Sequence, residues 1–249
     1  MSESLRDGLI RTLPYARRYA RALTSSQPDG DLLVAEGLRN LSSQRSEDGF
    51  TPLQQLYKVI SRLYVPAEGQ TPSPVRDITT RRGQWLLLTS WEEGGLGTAG
   101  RMVGLSEKQA QAELTAAQEL IRKGVQSSVL IIEDEPIIAM DIEQLVLQCG
   151  HSVAGVAHTQ EDAIQMAVQT RPGLVLADIN LGYGGDGMAA VAEIITSFHV
   201  PVIYVTAYPE RLLTGQTLEP SYVITKPFDP MALAVATYQA VSSAGMAQV

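Results

Sequence analysis

Five polar residues follow apolar runs of the sequence, at positions where a parallel sheet would bring them together. They are Glu133, Asp134, Asp178, Thr206 and Lys226. The runs before them, rich in valine, isoleucine and leucine, occupy residues 129–132, 174–177, 202–205 and 222–225. Such runs indicate strands buried on both faces, and the carboxyl ends of parallel strands meet at one edge of the sheet. We therefore expect one site that contains all five side chains.

The residue types at this edge suit phosphoryl chemistry. Three neighbouring carboxylates repel one another, so they ionise together only beside a cation, and Mg²⁺ prefers hard oxygen ligands of this kind. With that charge neutralised, Asp178 can attack phosphorus and form an aspartyl phosphate. Thr206 can hydrogen-bond to one phosphoryl oxygen and Lys226 can pair with another. Each residue alone has an ordinary interpretation as a turn former or a solvated side chain, and only the set favours chemistry.

The elements that would position these residues alternate between strand and helix from residue 129 onward. Strands are predicted near 129–133, 152–157, 173–178, 201–206 and 222–226. Helices are predicted near 136–149, 160–170, 187–198, 208–215 and 230–243. Five such βα units predict an α/β fold with a doubly wound, five-stranded parallel sheet. The bond between Lys226 and Pro227 is a candidate for the cis form.

The first half of the chain is predicted to be all-α. Apolar residues recur every three or four positions over residues 4–24, where Pro14 is expected to kink or interrupt the helix. Residues 27–30 predict a turn before a second helix. Thr51, followed by Pro52, predicts the N-cap of a third helix.

A short helix, a turn at Gly104 and a longer helix capped by Ser106 give a helix-turn-helix outline near the end of this half. An ordinary pair of packed helices has the same outline. The predicted organisation is a helical subdomain at 1–65, a linker at 66–77, a second helical subdomain at 78–125 and an α/β domain at 128–245.

Charge and composition restrict the function further. Residues 1–126 hold 16 Lys and Arg against 14 Asp and Glu, a net charge of +2, whereas residues 127–249 hold 3 against 13, a net charge of −10. Neither half is basic enough to favour a polyanion. One cysteine, no signal peptide and no apolar run near the roughly 18 residues of a membrane span predict a cytoplasmic protein.

Residues 128–243 resemble a receiver domain of two-component response regulators, in the flavodoxin-like arrangement. The stretches that carry the resemblance are 129–135, 174–181, 205–207 and 226–228. The resemblance implies that Asp178 accepts phosphate from a sensor histidine kinase. It implies Mg²⁺ ligands on Glu133, Asp134, Asp178 and the backbone carbonyl of Asn180. It also implies that Thr206 and Lys226 contact the phosphoryl group.

The chain departs from many receivers at the position three before the lysine. That position often holds an aromatic switch residue, and here it is Val223. The segment 204–211 resembles a receiver subgroup in which the aromatic residue after the threonine takes part in switching. Tyr208 is therefore the expected switch residue, and the alternative is a tyrosine that packs at the start of a helix.

The helical half resembles alternative sigma factors of the extracytoplasmic-function group. Residues 13–23 with 30–33 resemble sigma region 2, and residues 85–88 with the helix-turn-helix resemble region 4. Joined to a C-terminal receiver, this arrangement resembles the PhyR family of general stress response regulators. The family implies that phosphorylation of Asp178 releases the sigma-like half from intramolecular docking on the receiver. The released half then sequesters an anti-sigma factor of the NepR type.

Two alternative functions compete with this one. The first is a DNA-binding response regulator with reversed domain order, but the presumed reading helix, residues 106–122, has a net charge of −1 and offers phosphates little attraction. The second is an aspartyl-phosphate phosphatase, which usually carries a second aspartate two residues after the nucleophile. Asn180 stands there instead. We therefore expect a phosphoacceptor with at most autodephosphorylation, and neither an enzyme nor a DNA reader.

Overall fold

The computed structural model describes residues 3–24, 26–43, 49–65, 88, 95–123, 126–212, 220, 222–228 and 230–246. The predicted linker at 66–77 lies outside the described residues, and so do residues 85–88 of the stretch that resembles sigma region 4, apart from Leu88. The chain divides into two compact units: Met1–Ala116 with Glu210–Ser221, and Ala117–Pro209 with Tyr222–Val249.

Helices α1 (Glu3–Thr24), α2 (Gln27–Ser43) and α3 (Pro52–Leu63) pack against one another in the first unit. Pro14 does not interrupt α1, which is an unbroken helix around it. A proline leaves the carbonyl four residues earlier without its helical partner. That carbonyl belongs to Ile10, whose side chain is 55% exposed, so this part of the helix faces water.

The turn predicted at residues 27–30 is wrong, because α2 already begins at Gln27. A proline in the first turn of a helix is tolerated, since the N–H groups there have no helical partner. The capping prediction for α3 is confirmed. The Thr51 hydroxyl accepts from the Gln54 backbone N–H at 3.3 Å, and the Thr51 N–H donates to the Gln54 side chain at 3.0 Å.

Aromatic and ionic contacts join these three helices. The rings of Tyr19 and Tyr57 meet edge to face, with centroids 4.9 Å apart, and the Tyr19 hydroxyl lies 2.7 Å from the hydroxyl of Ser61. Arg17 on α1 binds Asp31 on α2 through two hydrogen bonds of 2.9 Å. The apolar stripe of each helix therefore faces a common core, as the periodicity predicts.

Helix α4 (Gly95–Val103), a turn at Gly104 and helix α5 (Glu107–Lys123) confirm the helix-turn-helix outline. The Ser106 N–H donates to the Gln109 side chain at 2.9 Å, and the Ser106 hydroxyl accepts from the Gln109 N–H at 3.4 Å. Because α5 extends through Lys123, it carries three acidic and three basic residues. Its net charge is thus zero, one unit higher than the sequence analysis gives for residues 106–122.

The second unit contains a five-stranded parallel sheet, as predicted, in the order β2-β1-β3-β4-β5. Its strands are β1 (Ser128–Ile132), β2 (Ser152–Ala157), β3 (Leu174–Ala177), β4 (Val202–Thr206) and β5 (Tyr222–Thr225). Its helices are α6 (Pro136–Gln148), α7 (Gln160–Thr170), α8 (Gly187–Ser197) and α9 (Pro230–Met246). The predicted helix at 208–215 is a 3₁₀ turn over Pro209–Arg211, and residues 213–219 lie outside the described part.

Both faces of this sheet are buried. Helices α6 and α9 pack on a cluster that includes Val129, Leu174 and Ile203. Neighbouring residues such as Leu130 and Val175, which point to the opposite face, are equally buried. A sheet covered on both sides gives its ligands access only at an edge. Within the described residues, no helix is long and apolar enough to cross a membrane.

Candidate functional site

The predicted site residues lie at the carboxyl edge of the sheet, directly after β1, β3 and β5 and at the last residue of β4. Hydrogen bonds of the strand ladder continue into this edge and fix its backbone. The N–H of Asp178 donates to the Ile132 carbonyl at 2.9 Å, and the N–H of Lys226 donates to the Thr206 carbonyl at 2.9 Å. Parallel register therefore brings together residues that are up to 93 positions apart in the chain.

The ammonium group of Lys226 lies between two carboxylates. Its Nζ donates to Glu133 Oε2 at 2.6 Å and to Asp178 Oδ2 at 2.6 Å. The side chain of Glu133 is fully buried, and those of Lys226 and Asp178 are each 10% exposed. Burying any one of these charged groups alone would cost free energy, and pairing with the opposite charge offsets that cost. Lys226 is thus the cation next to these two acids.

Burial and pairing both affect protonation at this centre. Burial raises the pKa of the Glu133 carboxyl above its usual range, and the hydrogen bond and charge of Lys226 oppose that rise. Burial by itself would lower the pKa of the Lys226 ammonium, but its hydrogen bonds to Asp178 and Glu133 outweigh burial and raise it. Lys226 is therefore held in its charged form.

The second carboxylate oxygen of Asp178 is held by the backbone. Oδ1 accepts from the N–H of Ile179 at 2.6 Å and from the N–H of Asn180 at 3.3 Å. Helix α8 begins close behind, at Gly187, whose N–H donates to the Ile179 carbonyl at 3.1 Å. A side chain at Gly187 would overlap the carbonyl oxygen of Asp178, so only glycine permits this approach.

Thr206 and Tyr208 lie at and just beyond the carboxyl end of β4. The Thr206 side chain is fully buried, and its hydroxyl oxygen accepts from the N–H of Tyr208 at 3.2 Å. Tyr208 as a whole residue is 48% exposed. The bond between Lys226 and Pro227 is cis, as predicted.

Glu133, Asp134 and Asp178 can each offer one carboxylate oxygen to a common point. These three oxygens lie within 4.8 Å of one another. An all-oxygen, acidic set of this kind suits Mg²⁺ and does not suit metals that prefer nitrogen or sulfur. Asn180 follows closely in the chain, paired with Asp186 in an isolated bridge.

A histidine that the sequence-based prediction does not include contacts the site. Nδ1 of His158, just after β2, lies 2.7 Å from the backbone carbonyl of Glu133. A lone histidine at the end of a strand carries no pattern that would identify it. Its position one residue past a predicted strand, at the same edge as the acids, is the only signal in the sequence.

The chain is similar to known proteins over nearly its full length. Residues 129–238 match the response regulator receiver domain, and residues 9–61 match the Sigma2 domain of PhyR. The phyllosphere-induced regulator PhyR of Methylorubrum extorquens strain AM1 is 39% identical over 246 residues, which cover 93% of this chain and 92% of that protein.

Solved structures of PhyR proteins are similar to this chain in both sequence and fold. The response regulator PhyR from Brucella abortus is 36% identical, with a TM-score of 0.84 and coverage of 100% of this chain and 98% of that one. The anti-anti-sigma factor PhyR from Bartonella quintana is 36% identical, with a TM-score of 0.84 and coverage of 98% and 100%. That Bartonella protein is also known in complex with the anti-sigma factor NepR. With this similarity across both the sigma-like helices and the receiver, the chain belongs to the PhyR family of response regulators.

Proposed function

We propose that this chain is a phosphorylation-controlled anti-anti-sigma factor of the general stress response. Phosphorylation of Asp178 releases the sigma-like helical half. That half then binds and sequesters an anti-sigma factor of the NepR type, which frees an alternative sigma factor for transcription. The observation that supports this most strongly is the placement of Lys226 between Glu133 and Asp178, in a chain that matches a PhyR protein over 93% of its length.

The residues at the site fit Mg²⁺. Glu133, Asp134 and Asp178 would hold the ion through carboxylate oxygens, and the backbone carbonyl of Asn180 would supply a further one. When bound, Mg²⁺ would neutralise the negative charge of the incoming phosphoryl group. The partly exposed Asp134 and exposed Asn180 leave the ion in reach of water and of a phosphodonor.

The phosphoryl step needs only the Asp178 carboxylate as nucleophile. One of its oxygens forms the new O–P bond while the P–N bond of a phosphohistidine breaks, and the leaving imidazole keeps the electron pair and takes up a proton. The backbone N–H groups of Ile179 and Asn180 hold the carboxylate in place during this transfer. Lys226 keeps its positive charge at the same point and stabilises the added negative charge.

Thr206 and Lys226 would transmit the effect of phosphorylation to the rest of the receiver. A phosphoryl oxygen competes with Asp178 Oδ2 for the Lys226 ammonium, and it offers an acceptor to the Thr206 hydroxyl. Because the Thr206 oxygen also holds the N–H of Tyr208, any movement of Thr206 reaches Tyr208 directly. The half-exposed Tyr208 is then the residue whose position would switch.

The charge of the two halves supports docking before phosphorylation. The receiver half carries −10 and the helical half +2, so they attract each other at low salt. Attraction between exposed charges is screened within about 8 Å at physiological ionic strength. Charge would therefore steer docking, and packing would have to hold it.

A pull-down from cell lysate tests this function. The tagged chain is incubated with and without acetyl phosphate and Mg²⁺, beside the Asp178→Ala variant. We expect a small anti-sigma factor to be retained only by the phosphorylated parent. Retention of stress-promoter DNA instead would support the DNA-binding alternative, and sustained phosphomonoester turnover would support an enzyme.

A further inference from the structure

The segment from His158 to Gln160 runs from the end of β2 to the first residue of α7, and it contacts both loops that carry the site. His158 Nδ1 lies 2.7 Å from the Glu133 carbonyl oxygen. A carbonyl oxygen can only accept, so Nδ1 carries a proton and donates it to this bond. The imidazole thereby holds residues 133–135, the acidic loop, at Glu133, immediately before Asp134.

The same segment packs on the loop that follows Asp178. A Cβ at Gly184 would lie 2.7 Å from the His158 carbonyl oxygen, closer than Cβ atoms approach other heavy atoms. The side-chain Oε1 of Gln160 accepts from the N–H of Asp186 at 3.2 Å. Asp186 in turn caps helix α8 with its carboxylate. The loop of residues 178–186, the phosphoacceptor loop, is thus contacted by this segment at Gly184 and at Asp186.

The segment is itself well anchored. Before it, the Ala157 carbonyl accepts from the N–H of Glu133 at 2.9 Å, the last bond of the strand ladder. After it, the Thr159 hydroxyl caps α7 by accepting from the N–H of Asp162 at 3.1 Å. One short segment therefore fixes the spacing between the acidic loop and the phosphoacceptor loop, which arise from different strands.

We propose that His158 is a positioning residue for metal binding and phosphorylation at Asp178, and that Gln160 supports the same pair of loops. This inference rests on the proposed function, because it concerns how the Mg²⁺ ligands are held. Outer hydrogen bonds orient metal ligands, and losing one typically weakens metal binding about 10- to 100-fold. His158 acts on the backbone next to Asp134 rather than on a ligand atom, so we expect an effect near the lower end.

Calorimetric titration of the full chain with Mg²⁺, without any phosphodonor, measures this directly. In His158→Leu the donor is lost, and Kd for Mg²⁺ should rise about tenfold. In His158→Asn the side-chain amide keeps a donor near the position of Nδ1, so Kd should stay within about threefold of the parent. His199→Leu, at an exposed histidine before β4, is the matched control and should leave Kd unchanged.

Two further measurements complete the test. The acetyl phosphate labelling rate of His158→Leu should reach half its maximum at a Mg²⁺ concentration about tenfold higher, with the maximum rate retained. Gln160→Leu removes the hydrogen bond to the Asp186 N–H and should also raise Kd for Mg²⁺. This second variant tests the inference even if His158→Leu fails to fold.

The inference would be overturned, and the proposed function left intact, if the parent binds Mg²⁺ and accepts label while His158→Leu shows the same Kd. It would equally be overturned if His158→Asn were as weak as His158→Leu. A parent chain that binds no Mg²⁺ and accepts no label would overturn both the inference and the proposed function.

Discussion

Replacement of Lys226 by methionine tests whether the buried acids depend on its charge. The ammonium group lies 2.6 Å from Glu133 and 2.6 Å from Asp178, and the Glu133 side chain is fully buried. Removing one partner of a buried ion pair leaves an uncompensated charge and costs about 3–5 kcal/mol. Because Asp178 keeps slight exposure and two backbone donors, we expect about 3 kcal/mol of lost receiver stability at pH 7.

Amide hydrogen exchange of β1 residues Leu130–Ile132 is a suitable assay, since it reports the receiver unit within the full chain. A loss of about 3 kcal/mol corresponds to exchange that is roughly a hundredfold faster. Lys108→Met, at an exposed lysine on α5, is the matched control and should leave β1 exchange unchanged. The double variant Glu133→Gln with Lys226→Met should regain most of the loss, because it also removes the charge of the fully buried Glu133. The remaining acid, Asp178, keeps its two backbone donors.

The pH dependence of the Lys226→Met loss provides a second check. Burial already raises the pKa of Glu133, and without the ammonium it should rise further. A carboxyl whose pKa is raised in the folded state destabilises the fold above that pKa. The loss in Lys226→Met should therefore shrink as the pH falls through the raised pKa toward the unfolded value of 4.5. Exchange within about threefold of the parent at pH 7 would refute the reasoning that these acids are ionised and neutralised by Lys226.

Three further predictions concern other parts of the receiver. Asp178→Ala should abolish labelling by acetyl phosphate, and label retained at parental level would exclude Asp178 as the acceptor. Gly187→Ala places a methyl group against the Asp178 carbonyl and should cost about 1–3 kcal/mol in a thermal melt while it slows labelling; an unchanged melt and labelling rate would show that α8 can shift freely. Burial lowers the pKa of His151, whose Nδ1 accepts from the N–H of Ser127 at 3.2 Å. As the pH falls, His151 is therefore protonated in the unfolded chain before it is protonated in the folded one. Stability should fall as the pH drops below 6.5, by at most about 1.4 kcal/mol at pH 5.5. A His151→Leu variant with the same pH dependence as the parent would contradict this.

Much of the receiver was predictable because its strands are continuous apolar runs. The sequence places Glu133, Asp178, Thr206 and Lys226 at strand ends, and parallel pairing then brings strand ends to one edge regardless of the intervening chain. No tertiary information is needed for that step. The bounds of the five strands agree with the prediction to within one residue at either end.

The features that sequence reasoning got wrong or missed depend on contacts between distant residues or on local exceptions. Gln27–Gly30 resembles a turn, yet the first turn of a helix accommodates the same proline. Pro14 does not interrupt α1, because the preceding turn can be hydrated. The pairing of Lys226 with Glu133 and the bond from His158 to the Glu133 carbonyl join residues 93 and 25 positions apart. No local pattern encodes either contact.

The most direct test of the account is the affinity of the purified chain for an anti-sigma factor of the NepR type, measured by calorimetry with and without phosphorylation at Asp178. Release of the sigma-like half predicts that phosphorylation lowers Kd by at least about tenfold, since coupling between two sites typically amounts to about 1–3 kcal/mol. The Asp178→Ala variant should show no change on treatment with acetyl phosphate. Equal Kd values for the phosphorylated and unphosphorylated parent would contradict the central claim that the phosphate controls partner binding.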